Sequence, residues 1–183
     1  MKQVLFLLSV LFLFTSAYAQ NKEAVATDNP ESQKVTEICG VTFGSSYDNA
    51  LQMLTDTLGE PDIATNNSSI FYRDKTYEGV VFNSIYFLFS SDAQTSYLSS
   101  CIFYYNADTE EEAKETYNAL YEMLSRKYSL TQGEKQVDTV ECYQGGTSPI
   151  DDDKGFSLSL NQLLESRFSV LLCYGPYEYV REE

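Results

Sequence analysis

Residues 97–128 read YLSSCIFYYNADTEEEAKETYNALYEMLSRKY, which predicts a strand followed directly by a helix. The strand covers 97–106, where aromatic residues of high strand propensity are frequent. Thr109 and Glu112 form a capping box, and three consecutive glutamates lie at the positive end of the helix dipole. Apolar side chains then recur at helical spacing, at Ala113, Tyr117, Leu120, Leu124 and Tyr128. This stripe is most simply the surface that packs on a core.

A second helix is predicted nearer the N-terminus. Ser45 or Ser46 offers the N-cap, Gly59 suits the left-handed residue after the last turn, and Pro61 prevents continuation. Its apolar residues are Tyr47, Ala50, Leu51, Leu54 and Leu58.

Six runs have strand character, and they lie in two groups of three, one after each helix. They are 70–73, 79–90, 97–106, 137–145, 156–163 and 167–174. This order predicts an α+β fold of two layers, with antiparallel strands packed by two helices and with two αβββ halves, 38–106 and 107–183. The halves either share one sheet or form two.

Residues 1–19 have the three parts of a bacterial signal peptide. Lys2 supplies the positive charge, residues 4–14 are an apolar run too short to span a bilayer, and Ala17 and Ala19 are the small residues at the cleavage site. We expect cleavage between Ala19 and Gln20 and a soluble periplasmic or extracellular protein. Residues 20–37 are polar and predict a disordered tether, followed by a single domain over 38–183.

The charge is strongly acidic, with 12 Lys and Arg against 27 Asp and Glu, a formal net charge of −15. Such a surface repels phosphate backbones and anionic lipid. We therefore expect no nucleic-acid partner and no membrane insertion after cleavage.

The four cysteines are Cys39, Cys101, Cys142 and Cys173. An even number in an exported protein predicts at least one disulfide; the alternatives are buried free thiols and, less simply, zinc. If the last three strands form a meander, the middle strand holds the strands of Cys142 and Cys173 about 9–10 Å apart. That distance exceeds the roughly 7 Å that a disulfide tolerates between Cα atoms, so each would pair with Cys39 or Cys101, or stay free.

The sequence contains no histidine, which excludes Ser-His-Asp and Cys-His nucleophiles and the usual catalytic zinc sites. It also lacks the GxSxG, P-loop and GxGxxG motifs. Glu78 and Glu141 are the acidic residues nearest to apolar strands, and each is better explained as a solvent-facing residue than as half of a catalytic pair. We assign no catalytic residue and no cofactor.

Asp151, Asp152 and Asp153 lie in the segment 145–155, GGTSPIDDDKG, which predicts an exposed, mobile loop. They lack the alternate spacing and the closing glutamate of a calcium loop, so we assign no metal site.

Tyrosine is abundant in the strands, notably at Tyr104, Tyr105, Tyr143 and Tyr174. Strand propensity alone predicts much of this pattern. Tyrosine is also frequent in binding surfaces, because it buries a large area and keeps a polar tip.

A short helical segment carries a pattern of glycine, serine and leucine residues: Gly40, Phe43, Gly44, Ser45, Ser46, Leu51, Leu54, Leu58, Gly59 and Pro61. The pattern resembles a motif of small secreted bacterial proteins, the class of the β-lactamase inhibitory protein and the small outer-membrane assembly lipoproteins. It covers only residues 40–61, and the chain lacks the lipoprotein cysteine. The resemblance implies a small α+β binding module without catalysis.

The leading hypothesis is a non-enzymatic interaction module that contacts a protein through an exposed sheet face or the 145–155 loop. The alternatives are a carbohydrate or small-molecule binder that uses sheet tyrosines and, third, a glycosidase with a carboxylate pair.

Overall fold

The computed structural model describes residues 33–91, 96–164 and 167–179. Over these residues the chain is a mixed α+β fold with helices α1 (Tyr47–Leu58) and α2 (Glu110–Ser125). The strands are β1 (Glu37–Ile38), β2 (Val41–Thr42), β3 (Ile63–Thr65), β4 (Ser69–Tyr77), β5 (Val80–Ser91), β6 (Ser96–Ala107), β7 (Leu130–Gln132), β8 (Thr139–Thr147), β9 (Lys154–Leu164) and β10 (Arg167–Tyr174).

Eight strands form one antiparallel sheet in the order β3-β4-β5-β6-β10-β9-β8-β7, while β1 and β2 pair separately. The two halves of the chain meet where β6 pairs with β10, with Phe103 opposite Leu172. The halves therefore share one sheet. Both edge strands, β3 and β7, are three residues long, which limits the backbone that the edges offer to another chain.

Both ends of α1 and the start of α2 agree with the prediction, whereas α2 ends at Ser125, before the last residue of the predicted stripe, Tyr128. Ser46 is the extended N-cap of α1, and Gly59 follows the helix with a φ of 85°. At the start of α2, the Glu112 N–H donates to Thr109 Oγ1 at 3.2 Å. The Glu112 carboxylate in turn accepts from the Asp108 N–H, one residue before the N-cap, also at 3.2 Å.

The strand order differs from the prediction because short strands are added, β1, β2 and β3 in the first half and β7 in the second. Three residues are too few to show an alternating pattern in the sequence. The predicted strands 70–73 and 79–90 leave a turn at 74–78, and the structure displaces this turn. Strand β4 continues to Tyr77, and the turn consists of Glu78 and Gly79, with φ values of 50° and 85°. Positive φ at both positions is the geometry of a two-residue hairpin.

The folded part begins earlier than residue 38, which corrects the predicted end of the tether. Val35 is 1% exposed and belongs to the core, and its N–H donates to the Thr147 carbonyl at 2.8 Å. The Gln33 side chain accepts from the Ser129 N–H at 3.0 Å. Residues 1–32, with the predicted signal peptide and most of the tether, lie outside the described residues.

The predicted 145–155 loop is shorter and more ordered than expected. Gly145 and Gly155 are buried at strand ends, and only the tip, residues 150–154, is exposed. Ser148 organises the turn: its N–H donates to the Asp153 carbonyl at 2.8 Å, and its hydroxyl accepts from the Ile150 N–H at 3.2 Å.

The predicted disulfide is absent, since all four cysteines are free thiols. Cys142 and Cys173 lie on β8 and β10 with β9 between them, as a meander requires. Cys101 lies in the core on β6, and Cys39 lies in the turn between β1 and β2.

The core is shared between the helices and the sheet. It combines buried residues of both helices with alternate strand residues, for example Leu54, Tyr117, Ile85, Phe103 and Leu158. Neither α1 nor α2 has the length and apolar content of a membrane-spanning helix, and the described residues contain no other α-helix.

Replacing Tyr117 with phenylalanine is expected to stabilise the protein. The hydroxyl of Tyr117 is buried and has no hydrogen-bond partner, so Tyr117→Phe removes an uncompensated polar group and should raise the free energy of unfolding by about 1 kcal/mol. Tyr105→Phe is the matched control. It removes the hydrogen bond that the Tyr105 hydroxyl on β6 donates to Glu112 of α2, the helix that carries Tyr117, and it should lower the free energy of unfolding. Denaturant unfolding followed by circular dichroism measures both, and a loss of stability in Tyr117→Phe would contradict the prediction.

Candidate binding surface

The sheet has two faces with different surroundings. On β6, Cys101 and Phe103 belong to the core that packs on the helices, whereas Ile102 and Tyr104 alternate with them on the other face. Helix α2 contacts β6, β9 and β10, and α1 contacts β6. We call the second face, which carries Ile102 and Tyr104, the open face.

The four strand tyrosines do not form one platform. The Tyr105 hydroxyl donates to Glu112 of α2, and the Tyr143 ring lies 4.7 Å from the Tyr121 ring of α2. Tyr174 is 3% exposed, and burial raises its pKa well above the usual value. Only Tyr104 lies on the open face. For the other three, strand propensity and core packing explain the residue type.

Four other side chains line up across the open face in its N-terminal half. Ile63 on β3 pairs with Phe71 on β4, Phe71 pairs with Tyr86 on β5, and Tyr86 pairs with Ile102 on β6. Directly paired residues of antiparallel strands place their side chains next to one another. The rings of Phe71 and Tyr86 lie 4.7 Å apart. We call these four residues the apolar row.

The apolar row is exposed at Ile63 and Tyr86, whereas Phe71 between them is buried with 8% exposure, and the row has a polar border. Ile63 is 52% exposed and Tyr86 is 39% exposed. The guanidinium carbon of Arg73 lies 5.5 Å from the centre of the Phe71 ring, a cation–π geometry. The backbone N–H of Arg73 donates to the Asp62 carboxylate at 2.8 Å.

The C-terminal half of the open face contains a groove of about 540 Å³. Its floor consists of open-face residues of β8, β9 and β10, and the segment 134–138 before β8 forms a wall. Tyr104 and Leu171, which pair between β6 and β10, line the side that is nearer to the apolar row.

The floor of the groove is rich in neutral hydrogen-bonding groups. The Thr139 hydroxyl lies 3.0 Å from the Asn161 carbonyl oxygen, and the Asn161 amide donates to Ser159 Oγ at 3.1 Å. Ser169 lies beside Asn161 in the register and also lines the groove. Ser169 is 0% exposed, yet its hydroxyl has no hydrogen-bond partner.

Two thiols also line the groove, those of Cys142 and Cys173. Burial raises the pKa of both, and that of Cys173 reaches about 11. Both groups are therefore protonated thiols at neutral pH, which is the form that does not act as a nucleophile.

Glu78 and Glu141 do not form a carboxylate pair. Glu78 lies in the turn between β4 and β5 and binds Lys127 at 2.6 Å, while Glu141 lies on β8. Four strand spacings separate β5 from β8 in the sheet, roughly 19 Å at about 4.8 Å each. The carboxylates of a glycosidase are at most about 9.5 Å apart.

Part of this surface was visible in the sequence. The alternation Phe156-Ser157-Leu158-Ser159-Leu160 predicts one buried and one wet face, and both serines line the groove as that pattern indicates. The apolar row was missed because β4 and β5 carry aromatic residues on both faces, so their alternation does not mark the exposed ring.

No protein-family model, curated protein or solved structure matches this chain.

Proposed function

We propose that this protein is an exported, non-enzymatic interaction module that binds a protein partner through the apolar row. The observation that carries the proposal is a continuous apolar strip, from Ile63 to Ile102, across four paired strands. Exposed apolar side chains with a polar border, as at Ile63 and Tyr86, are typical of protein-binding sites.

Both the width and the residue types of the strip suit a protein partner better than a small ligand. It crosses four strands, about 14 Å, and therefore offers a surface broader than a single side chain needs. Tyr86 combines a large ring with a polar hydroxyl, and Arg73 beside Phe71 supplies a charged border, two residue types that are enriched in interfaces. In the proposed two-layer arrangement, both helices pack on the opposite face and leave the row free.

The absence of catalysis in this proposal rests on the chemistry of the residues. The sequence has no histidine, the groove thiols are protonated, and Glu78 and Glu141 are too far apart to act together. Export rests on the signal-peptide pattern of residues 1–19.

Photo-cross-linking from the row tests the proposal. Benzoylphenylalanine at position 86 should cross-link one defined protein in the exported fraction of the source bacterium. With that partner purified, Ile63→Ser and Tyr86→Ser should each weaken binding by about tenfold, because each removes a large apolar contact from the interface. Titration calorimetry measures the affinities.

Val81→Ser is the matched control, since Val81 is 53% exposed on the same strand as Tyr86 but lies outside the row. It should leave the affinity unchanged. Ile150→Ser tests the alternative contact, the tip of the loop between β8 and β9. Cross-links only between copies of this chain, or full affinity in both row variants, would refute the proposal.

A further inference from the structure

We propose that the groove on the C-terminal half of the open face is a binding site for a neutral saccharide. This site is separate from the apolar row and does not depend on the protein-binding proposal. The first observation is the fully buried Ser169 hydroxyl, which lines the groove and has no hydrogen-bond partner within the protein. A buried hydroxyl normally has a hydrogen-bond partner. A ligand hydroxyl in the groove would supply the missing partner of Ser169.

The other polar groups of the floor are of the same uncharged kind. Ser157, Ser159 and Ser169 project from two neighbouring strands, and Gln144 and Asn161 add amide groups on the same face. Hydroxyl and amide groups both donate and accept hydrogen bonds, which matches the alternating donors and acceptors of a sugar ring. An apolar ligand would leave the Ser169 hydroxyl without a partner.

The charges around the groove select against anions. Of the described residues that line it, none is Lys or Arg, and the charged ones are Glu134 and Asp138 on the wall. Carboxylates repel phosphates, sulfates and uronic acids, while they accept hydrogen bonds from neutral hydroxyl groups. The overall charge of −15 has the same effect.

Size and shape also agree with a sugar. The groove volume of about 540 Å³ lies within the range of small-molecule sites, roughly 300–1,000 Å³. Tyr104 lines one side next to Leu171, and an aromatic ring of this kind can cover the apolar face of a pyranose ring. Hydrogen bonds from the floor and ring contact from the side would then fix both the position and the orientation of the sugar.

A chemical-shift titration of the ¹⁵N-labelled protein tests the proposal directly. The probes are neutral mono- and disaccharides of glucose, galactose, mannose and N-acetylglucosamine, with glucuronate and galacturonate as the anionic set and glucosamine as the cationic one. At least one neutral sugar should give saturable shifts at the amides of β9 and β10 that border the groove. The uronates should bind more weakly than the neutral sugar of the same configuration.

Two variants connect the binding to the groove. Ser169→Ala should weaken binding by about three- to tenfold, the value of one neutral hydrogen bond, without lowering the stability of the free protein. Tyr104→Ala should weaken it by about tenfold through loss of ring contact. Tyr117→Phe is the matched control, because it also removes a partnerless buried hydroxyl, but from the helix side of the sheet; sugar affinity should not change.

Three results would overturn the proposal. The first is the absence of saturable shifts with every neutral sugar. The second is tighter binding of a uronate or of glucosamine than of its neutral counterpart, which would assign the groove to a charged ligand. The third is unchanged affinity in Ser169→Ala. Stability measured on each variant separates lost binding from lost folding.

Discussion

Replacing Tyr177 with alanine is expected to lower the free energy of unfolding by about 3–5 kcal/mol, the usual cost of removing a large buried ring. Tyr177 is 3% exposed, and its ring lies 4.6 Å from that of Phe43 in an edge-to-face arrangement. Its N–H donates to the Ser99 carbonyl at 2.9 Å, and its hydroxyl donates to the Gly155 carbonyl. The residue thus ties the segment after β10 to three other parts of the fold.

Two further variants resolve the contributions. Tyr177→Phe keeps the ring and loses the hydrogen bond, which should cost about 1 kcal/mol. Val137→Ala is the exposed control, since Val137 is 101% exposed, and it should change stability by less than about 0.5 kcal/mol. The protein has no tryptophan, so denaturant unfolding is best followed by far-UV circular dichroism. A Tyr177→Ala protein as stable as wild type would exclude this segment from the core.

We expect the reduced protein to unfold at a lower alkaline pH than a typical domain whose tyrosines are exposed. Burial raises the pKa of Tyr72 from 10.0 to about 12, that of Cys39 from 9.0 to about 12 and that of Cys173 from 9.0 to about 11. Burial raises the pKa of several further tyrosines in the same direction: Tyr77, Tyr117, Tyr174 and Tyr177.

The sign follows from proton linkage. Because the folded pKa values lie above the unfolded ones, the unfolded chain loses protons first as the pH rises. The stabilisation is complete below pH 9 and should fall progressively from about pH 9 to about pH 12. The free energy of unfolding measured by denaturant titration at successive pH values, with tyrosinate absorbance recorded in parallel, tests this expectation.

Tyr72→Phe should make the decline above pH 10 shallower, because it removes one group that ionises only on unfolding. Val137→Ala, which changes an exposed side chain that does not titrate, should leave the decline unaltered. A stability that stays constant from pH 8 to pH 11 would contradict the assignment of these tyrosines and thiols to the core.

The sequence allowed the local structure to be predicted where a pattern is short-range. Helix α1 begins and ends at the residues that its caps indicate, and α2 begins after its predicted cap Thr109, because a cap acts on backbone groups within one turn. The end of α2 at Ser125 was not predicted, since no capping residue marks it in the sequence. Strand β10 has the predicted bounds, and the alternation along β9 correctly separates its buried from its wet side. Strands β3 and β7 were not predicted, because three residues are stabilised by their neighbours rather than by their own periodicity.

The candidate sites depended on contacts that no local pattern records. In Phe103-Tyr104-Tyr105 the alternation is evident, but the side that α2 covers is decided by how the helix docks on the sheet. Val35 belongs to the core although it follows a polar stretch of sequence. Its backbone hydrogen-bonds to Thr147 of β8, a strand far away in the chain, and no local pattern predicts that contact. The disulfide was predicted from the number of cysteines, which carries no information about their separation.

By itself, the sequence determined both ends of α1 and the start of α2, the alternation of β9, the acidic charge and the lack of histidine chemistry. These depend on residue type and on interactions within a few positions of the chain. Only the tertiary structure decided that β6 and β10 join the halves into one sheet, which face stays open and that the Ser169 hydroxyl has no partner. Strand pairing and hydrogen-bond completion involve residues far apart in the chain, and their outcome depends on the packing of the whole domain.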